Sequence, residues 1–401
     1  MTAAGPLAGL TVLDLSRVLS GPYCTMQLAD MGARVIKIEH PAHGDDTRAW
    51  GPPFVDGESS YFLSINRNKE SVAIDFKTAD GRALLDRLMA RADILVENFR
   101  PGTLARLGLD YAALARKHPR LIYASISGFG QTGPRRQEAG YDAMMQAEGG
   151  LMSITGAPSA PPVRLGVAIS DIAAGMLAMQ GILLALIARG TTGRGQQVDI
   201  SMFDATLALL TYQAQRTLAT GVPPARLGNR HASIAPYDTF DAADGTLVLA
   251  VGNDDQWQRF CRAANLVDAA ADARFLTNEG RVQHYAALQP IVAGAIATDT
   301  LERWRARLGE AGVPAGAVRA IDAALADAQT AAREMVASVD HASIGPLRVL
   351  GVPVKLSETP GSVRTAPPLL GEHTAAVLQH EFGLGADELQ ALSAAGVLKC
   401  R

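Results

Sequence analysis

Short runs of apolar residues alternate with segments of helical periodicity through about the first 130 residues of the chain. The runs have the length of buried strands, and in segments such as 78–91 and 111–117 the apolar residues recur at helical spacing. This alternation is typical of βαβ units, so it predicts an α/β fold with a mostly parallel sheet covered by helices. The predicted strands are Leu10–Leu15, Val35–Glu39, Ser71–Phe76, Ile94–Glu97 and Leu121–Ser127.

Polar and glycine-containing segments follow three of these strands. They are Arg17–Pro22, His40-Pro41 and Asn98–Pro101. In open parallel sheets, ligands bind beyond the carboxyl ends of the strands. We therefore expect these three segments to contribute to one ligand site.

The middle of the chain predicts a long helix, a strand, a second helix and then a loop. The long helix is rich in Ala and Gly, which permits close approach of a neighbouring helix or backbone. The predicted elements are a helix from Asp171 to Ala188 closed by Arg189-Gly190, the strand Gln197–Ser201, the helix Phe203–Leu218, and a linker or active-site loop at Thr220–Pro236. Residues from about 237 to 325 indicate a smaller α/β unit, with a strand at Thr246–Val251, and the chain ends in two short helices.

Composition and charge narrow the possible functions. With 48% hydrophobic and 19% charged residues, the chain can bury a large core, and its length predicts two or three domains. A net charge of −3 provides no basic field for nucleic acid or an anionic membrane, so local Lys and Arg would have to bind any anionic ligand. Cys24, Cys261 and Cys400 are far apart and odd in number. They predict neither a metal site nor a disulfide framework, and they fit a reducing cytoplasm.

No membrane or export segment is expected. The N-terminus has no signal-peptide pattern and continues directly into an apolar strand. The longest apolar stretch, Ile172–Ala188, is shorter than the roughly 20 residues that cross a bilayer. We expect a soluble protein in which this stretch is a buried helix.

Gly128–Gly133 matches the pattern GxGxxG and follows a predicted strand, so a dinucleotide site has to be considered. A dinucleotide-binding loop opens a helix at its third glycine, whereas here Pro134-Arg135-Arg136 follows, and the strand is the fifth rather than the first. The pattern therefore favours a turn. A nicotinamide-dependent oxidoreductase is the less favoured interpretation.

Asp171 stands where a polar segment meets the long apolar helix. Such an aspartate is commonly an N-cap, which accepts a backbone N–H and complements the helix dipole. The same environment would keep a nucleophilic carboxylate ionised. The spacing does not separate the two interpretations.

Two further pairs of residues are candidates for substrate contacts. Tyr141 and Asp142 begin a predicted helix, Tyr141–Glu148, where Asp142 would by default be only a dipole partner. Arg230 and His231 lie in the predicted loop, where such side chains are usually solvated. An arginine there could nevertheless bind a substrate carboxylate in a bidentate manner.

Several segments, in this order and spacing, resemble the class III CoA transferases, also called the CaiB/BaiF family, over nearly the whole chain. They are Leu13–Pro22, Val35–Glu39, Asn66–Lys69, Val96–Gly102, Gly140–Asp142, Asp171 with its helix, Thr192–Gln196 and Pro368–Thr374. The resemblance implies that Asp171 is the catalytic nucleophile. It also implies CoA contacts at Leu19, Ser20, His40, Ile74, Asp75, Phe76, Lys77, Asn98, Phe99, Arg100 and Arg106, and substrate contacts at Tyr141, Asp142, Arg230 and His231.

The sequence departs from the family pattern at three positions. His40 replaces an arginine of some members, and Ala139 replaces a lysine near the substrate. Tyr141 occupies the position of the histidine with which a racemase branch abstracts an α-proton. With a reference pKa near 10, tyrosine is a poor proton acceptor at neutral pH, so CoA transfer is favoured over racemisation. A CoA-ester-binding protein without catalysis is a further alternative.

Within the family, Gly44–Phe54 and Ser233–Tyr237 are similar to the succinate–hydroxymethylglutarate CoA transferases, which also use glutaryl-CoA. The resemblance implies dicarboxylate substrates, with CoA as part of the substrate and no metal or other cofactor. It implies a Rossmann-like large domain built from both chain ends, a smaller inserted α/β domain, and a homodimer of two interlocked rings. The expected domains are 1–220, then 221–325 with its linker, then 326–401 returning to the large domain.

Overall fold

A computed structural model describes residues 5–401. Its strands are β1 (Thr11–Asp14), β2 (Arg34–Glu39), β3 (Phe54–Val55), β4 (Glu58–Ser59), β5 (Lys69–Ile74), β6 (Ile94–Glu97), β7 (Ile122–Ser127), β8 (Gln197–Ser201), β9 (Tyr237–Ala242), β10 (Gly245–Ala250), β11 (Ala315–Ala317), β12 (Val336–His341), β13 (Gly345–Leu350) and β14 (Leu398–Lys399).

The α-helices are α1 (Ser20–Asp30), α2 (Ser60–Ile65), α3 (Ala79–Met89), α4 (Tyr111–Lys117), α5 (Asp142–Glu148), α6 (Leu151–Ile154), α7 (Ile169–Thr192), α8 (Met202–Leu209), α9 (Thr211–Thr220), α10 (Asp254–Ala263), α11 (Val267–Ala271), α12 (Asn278–Gln283), α13 (Tyr285–Ile296), α14 (Leu301–Glu310), α15 (Ile321–Leu325), α16 (Ala328–Ala332), α17 (Thr374–Phe382) and α18 (Ala386–Ala394). Short 3₁₀ helices cover Asp46–Ala49 and Ala105–Leu107.

The chain forms two compact units. Unit 1 contains the residues up to Leu151, then Leu165–Ala214 and Ala328–Arg401, and unit 2 contains Met152–Arg164 and Gln215–Asp327. The segment Met152–Arg164 thus belongs to unit 2, although the sequence analysis placed it in the large domain. Beyond one helical turn, this segment has no periodic pattern, so only its tertiary contacts determine where it packs.

Unit 1 is built on a seven-stranded sheet in the order β14-β5-β2-β1-β6-β7-β8, counted within the described residues. All neighbours pair in parallel except β14, which is antiparallel to β5. This confirms the predicted parallel sheet. The chain extends the sheet first to one side of β1 and then, from β6, to the other side. Such a reversal opens a crevice at the carboxyl ends of the two central strands, β1 and β6.

Successive residues of the central strands face opposite sides of the sheet, and each side has its own core. Val12 and Ile94 pack with the buried small residues of α7, while Leu13 and Leu95 pack with residues of α3, α17 and α18. Strands buried on both faces read as continuous apolar runs, which is why their positions could be predicted from the sequence.

Helix α7 ends later than predicted. Arg189 and Gly190 lie inside it, and the left-handed residue that terminates it is Gly193, with φ +69°. The Arg189 side chain is buried in an ion pair with Asp93 at 3.1 Å. This interaction keeps the last turns of the helix against the sheet.

The prediction that this helix is buried is wrong for the single chain. Its small residues, including Ala174 and Ala178, are buried, whereas Met176, Leu184 and Ile187 on the opposite face are exposed. By length and composition α7 could cross a membrane, with 33% of its apolar window buried, but a single such helix also occurs in soluble proteins. The sequence shows that both faces are apolar but not what covers each of them.

Other differences are smaller. The predicted helix Phe203–Leu218 is two helices, α8 and α9, because Thr211 has a φ of +40°, which is incompatible with a continuous right-handed helix. No helix or strand lies between residues 221 and 236, which confirms the predicted loop. Unit 2 contains the antiparallel sheet β11-β10-β9 and its own core around Trp257 and Trp304.

Candidate active site

Asp171 is the third residue of α7 and does not cap the helix. The capping position is occupied by Ala168, which has no side-chain hydrogen bond to the helix. Instead, the Ser170 N–H donates to Asp142 Oδ1 at 2.9 Å, and the Gln146 side chain donates to Asp142 Oδ2 at 2.7 Å. Asp142, at the start of α5, therefore supplies the acceptor that the N-cap interpretation assigned to Asp171.

The Asp171 carboxyl group faces the start of α1. Burial, followed by the negative charge of Asp142, raises its pKa from 3.8 to about 6, although hydrogen bonding from the hydroxyl and N–H of Ser20 acts in the opposite direction. At pH 7 the group is roughly nine-tenths ionised. The arrangement gives a partly desolvated carboxylate, which is more nucleophilic than one surrounded by water.

Close contact between α1 and α7 fixes Asp171 relative to Ser20. A Cβ atom added to Gly175 would lie 2.6 Å from the Ser20 carbonyl oxygen. Only glycine permits this approach, one helical turn after Asp171. The small residues noted in the sequence of α7 thus bring the carboxylate to the end of β1.

The segment that joins β1 to α1 contains a strained residue. Val18 has a φ of +66°, in the left-handed region that β-branched residues rarely adopt. Such a conformation costs about 1–3 kcal/mol and persists only where surrounding contacts enforce it. Val18 and Ser20 both line the cavity that contains Asp171.

Asn98, directly after β6, holds the neighbouring Arg17 from both sides. Its Oδ1 accepts the Arg17 N–H at 2.8 Å, and its Nδ2 donates to the Arg17 carbonyl at 2.6 Å. The Arg17 guanidinium lies 5.3 Å from the centre of the Phe99 ring. The segments that follow β1 and β6 are therefore bound to each other, as expected if they form the two sides of the crevice.

Glu97 binds the segment that follows β6 through its carboxyl group. This buried carboxyl group accepts the Phe99 N–H at 2.9 Å, and burial raises its pKa to about 7. Because Glu97 is the last residue of β6, this hydrogen bond fixes the place where the following residues leave the sheet.

The crevice forms a cavity of about 180 Å³ in unit 1. Of the site residues predicted from the sequence, it brings together Ser20, Asn98, Phe99, Arg100, Tyr141 and Asp171. Arg17, Val18 and Pro101, which also line it, belong to the segments that were expected at the ligand site. The lining residues outside the predicted segments and contacts are Asp46, Ile126, Ser127, Gly128, Glu138, Ala139, Gly140 and Met202. Arg17 and Val18 lie inside a recognised motif, which was the available signal.

The remaining predicted CoA contacts lie outside the lining of this cavity. Leu19 is buried against Met26 and Ile65, and Ile74 is fully buried, so their side chains belong to the core. His40 stacks on His43 at 4.3 Å, and its Nε2 lies 3.9 Å from Asp75. Phe76 packs against the core, and Lys77 and Arg106 are exposed. A ligand that reached His40 and Lys77 would extend from the cavity along the carboxyl ends of β2 and β5, whereas Arg106 follows β6.

Arg230 and His231 belong to unit 2 and contact its residues. The Arg230 guanidinium lies 3.9 Å from the centre of the Tyr285 ring, and its Nη2 donates to the Val282 carbonyl at 3.3 Å. His231 stacks on Tyr237 at 5.3 Å. Both side chains are held by these contacts, whereas the sequence favoured solvated ones.

The glycine pattern at Gly128 is a turn, as predicted. It is followed by an irregular segment up to α5, so no helix opens at Gly133 and the dinucleotide interpretation is wrong. A Cβ atom on Gly128 would lie 2.8 Å from the Gly140 Cα. The two glycines let the segment fold back on itself, which places Tyr141 at the cavity.

Comparisons with known proteins identify the family of this chain. A family model described as CoA-transferase family III matches residues 7–374. The chain is 44% identical over 384 residues to the succinate–glutarate CoA-transferase of Agrobacterium fabrum, covering 93% of this chain and 95% of that protein. It is 40% identical over 394 residues to the succinyl-CoA:glutarate CoA-transferase of Mus musculus, covering 98% and 90%.

A solved structure gives the same result for the fold. The crystal structure of a CAIB/BAIF family protein from Brucella suis superposes with a TM-score of 0.85 and 41% identity, covering 94% of this chain and 100% of that one. The family resemblance and the enzyme class predicted from the sequence are confirmed. The chain belongs to CoA-transferase family III and is an enzyme that transfers CoA.

Proposed function

We propose that the enzyme transfers CoA from an acyl-CoA donor to a free dicarboxylic acid of the succinate or glutarate type, with Asp171 as the nucleophile. The observation that carries this proposal is the partly desolvated Asp171 carboxylate, in a cavity with Ser20 and the segment after β6. Relatives that match nearly the whole chain bear the names of succinate and glutarate CoA transferases. Their names support the substrate class.

In the first step, the Asp171 carboxylate attacks the thioester carbonyl of the donor. The C–S bond breaks, CoA leaves as a thiolate, and a mixed anhydride forms between Asp171 and the acyl group. The thiolate is a good leaving group, since its conjugate acid has a pKa of about 8.5 by analogy with cysteine. Ser20, whose N–H and hydroxyl face Asp171, is suited to stabilise the negative charge that develops on the aspartyl carbonyl oxygen when the thiolate attacks it in the second step.

In the second step, the CoA thiolate attacks the aspartyl carbonyl of the anhydride. This releases the first acid as a carboxylate and leaves an aspartyl-CoA thioester. The incoming carboxylate attacks this thioester, CoA leaves again, and the thiolate then attacks the acyl carbonyl of the second anhydride. The products are the new acyl-CoA and the free Asp171 carboxylate. One thioester replaces another, so ATP is not needed, and no cofactor besides CoA takes part.

CoA has to remain bound while it is free of the acyl group, since otherwise water would hydrolyse the anhydride. The cations around the cavity suit its phosphates: Arg17 and Arg100 lie at the cavity, and Lys77 and Arg106 are exposed beyond it. His40, stacked on His43, is a further candidate.

Arg230 and His231 are the proposed contacts to the far carboxylate of the dicarboxylic acid. Stacking on Tyr285 would hold the guanidinium in one orientation, which favours bidentate recognition. We expect Arg230→Ala to raise the KM for succinate or glutarate while the KM for the acyl-CoA donor changes little. An unchanged KM for the acid would remove Arg230 from this role.

A homodimer of two interlocked chains is the proposed assembly, in the cytoplasm. The exposed apolar face of α7, with Met176, Leu184 and Ile187, supports an additional protein surface over this helix. Light scattering of the purified protein should give the mass of two chains. A monomer with normal activity would contradict the proposal.

The substrate class is tested by offering the enzyme succinyl-CoA with a panel of free acids and separating the CoA esters by chromatography. Glutarate and other dicarboxylates of similar length should be acylated, whereas monocarboxylates of the same length should react poorly. Deuterium exchange at the α-carbon, measured in the same samples in D₂O, should be absent. Exchange without CoA transfer would favour the racemase alternative.

A further inference from the structure

The left-handed Val18 raises a question that the transfer reaction alone does not answer. A glycine or asparagine would adopt this backbone conformation without strain, yet the chain has a β-branched residue two positions before Ser20. Strained residues of this kind occur where neighbouring groups enforce them, frequently at active sites. The groups that enforce the conformation of Val18 can be identified.

Asp45 is a buried residue whose side chain hydrogen-bonds to the Val18 backbone. Its Oδ1 accepts the Val18 N–H at 3.2 Å, and the same oxygen accepts the N–H and the hydroxyl of Thr47 at 2.9 and 2.8 Å. Its Oδ2 lies 2.9 Å from the Lys37 ammonium group, and both side chains are almost completely buried. Both carboxylate oxygens of Asp45 are therefore held by other groups, in addition to the contact with Val18.

Lys37 holds the same turn at a second point. Its ammonium group donates to the Ser16 carbonyl at 2.9 Å, and Ser16 is also bound through its N–H to Asp14 at 2.9 Å. On the outer side, Asn98 binds both polar groups of the Arg17 backbone. Three consecutive residues, Ser16 to Val18, are thus held by side chains from different parts of the sheet.

The transfer chemistry gives Asp14, Lys37 and Asp45 no direct role. Asp14 and Lys37 belong to two of the segments that characterise the family resemblance, and Asp45 follows β2 by six residues. A buried lysine and carboxylate are expensive to desolvate, and replacing such a pair by apolar residues is often neutral or stabilising. A role in stability alone therefore does not explain the pair well.

We propose that Asp45 is a positioning residue: it holds Val18 in the left-handed conformation and thereby directs the N–H and hydroxyl of Ser20 at the Asp171 carboxylate. Val18 and Ser20 line the cavity with Asp171, and Val18 and Leu19 pack in one cluster with Ile172, the residue after Asp171. If Val18 relaxed to an ordinary φ, the chain direction into α1 would change and the Ser20 donors would move away from the carboxylate. The inference rests on the proposed role of Asp171.

A double-mutant cycle between Asp45 and Val18 tests it. Asp45→Ala removes the group that holds the turn, and we expect kcat to fall by at least about tenfold, or ~1.4 kcal/mol, with little change in the KM for acyl-CoA. Val18→Gly adopts φ +66° without strain, and its own kcat is the reference with which the double variant is compared. In the double variant glycine no longer needs the hold, and most of the lost kcat should return.

The matched control is Asp30→Ala, which breaks another buried ion pair of unit 1, with Arg67 at 2.6 Å, away from the cavity lining. It reports the effect of destabilisation alone, and Val18→Gly should not rescue it. If Asp45→Ala does not fold, the paired substitution Asp45→Leu/Lys37→Met replaces it in the cycle, because it removes the acceptor for the Val18 N–H without leaving a buried lysine unpaired. Circular dichroism and thermal unfolding establish that each variant is folded.

The outcomes separate the possible failures. Recovery of kcat in Asp45→Ala/Val18→Gly, without recovery in Asp30→Ala/Val18→Gly, supports the proposal. A folded double variant as slow as Asp45→Ala overturns it, as does a Val18→Gly variant that is itself inactive. Wild-type enzyme and Asp171→Ala are measured alongside. If Asp171→Ala retains normal turnover, the role of Asp171 has failed and the cycle does not concern catalysis.

Discussion

Replacing Asp171 by asparagine should make the protein more stable at neutral pH while abolishing CoA transfer. Burial and the charge of Asp142 raise the pKa of Asp171 from 3.8 to about 6. In the pH range between these values the native state binds more protons than the unfolded state, so stability falls as the pH rises. Well above pH 6 the full loss of stability is present. A pKa rise of this size lowers the free energy of unfolding by about 3 kcal/mol.

Asparagine has the same shape as aspartate and carries no charge, so the variant should escape most of this penalty. It also loses part of the interaction with the Ser20 donors, which reduces the expected gain to about 2 kcal/mol at pH 8. The gain should shrink by roughly 1–1.5 kcal/mol at pH 5, because the wild-type carboxyl is then mostly protonated in the folded protein.

Urea unfolding followed by circular dichroism measures the free energy of unfolding of the wild type and the variant at pH 8 and pH 5. Asp46→Asn is the matched control, because Asp46 lines the same cavity but is exposed and pairs with Arg17 at the surface. Its effect should stay within about 0.5 kcal/mol at both pH values. An Asp171→Asn variant that is no more stable than the wild type at pH 8 would contradict the raised pKa. A gain that is equal at pH 8 and pH 5 would show that the charge is not its source.

Two further predictions concern the same site. The value of kcat/KM should fall as the pH decreases through about 6, since protonation removes the nucleophilic form of Asp171; a profile that is flat from pH 8 to pH 5 would contradict this. Gly175→Ala should lower both the unfolding temperature and kcat by pushing α7 away from the Ser20 carbonyl, whereas Gly190→Ala in the same helix has open space and should be stabilising by up to about 1 kcal/mol. Equal effects of the two substitutions, measured by thermal unfolding and initial rates, would show that the α1–α7 contact is unimportant.

The sheet could be predicted from the sequence because its strands are buried on both faces. Ile94–Glu97 and Gln197–Ser201 have the predicted bounds, β2 and β7 differ from the predictions by one residue at one end, and β1 is one residue shorter than predicted at each end. Lys69 and Glu70, the first residues of β5, are charged and were not assigned to a strand. Lys69 is nevertheless fully buried, since its ammonium group is bound by Asp14, Asn66 and the Pro22 carbonyl. Such partners are distant in the sequence, so the pattern of apolar residues does not reveal them.

The sequence predicted which residues form the site better than it predicted how they are arranged. The N-cap interpretation of Asp171 failed because the acceptor for Ser170 comes from Asp142, 28 residues earlier in the chain. The left-handed conformation of Val18 has no sequence signal, because valine does not favour it and only tertiary contacts enforce it. In both cases a contact between distant segments overrides the local preference.

The central claim is that the acyl group and then CoA are bound covalently to Asp171. Its most direct test is to incubate the enzyme with acyl-CoA, trap the activated carboxyl with hydroxylamine or borohydride, and identify the modified peptide by mass spectrometry. The modification should lie on Asp171 and disappear in Asp171→Ala. An enzyme that turns over while its Asp171 peptide stays unmodified, or that carries the modification on another residue, would contradict the claim.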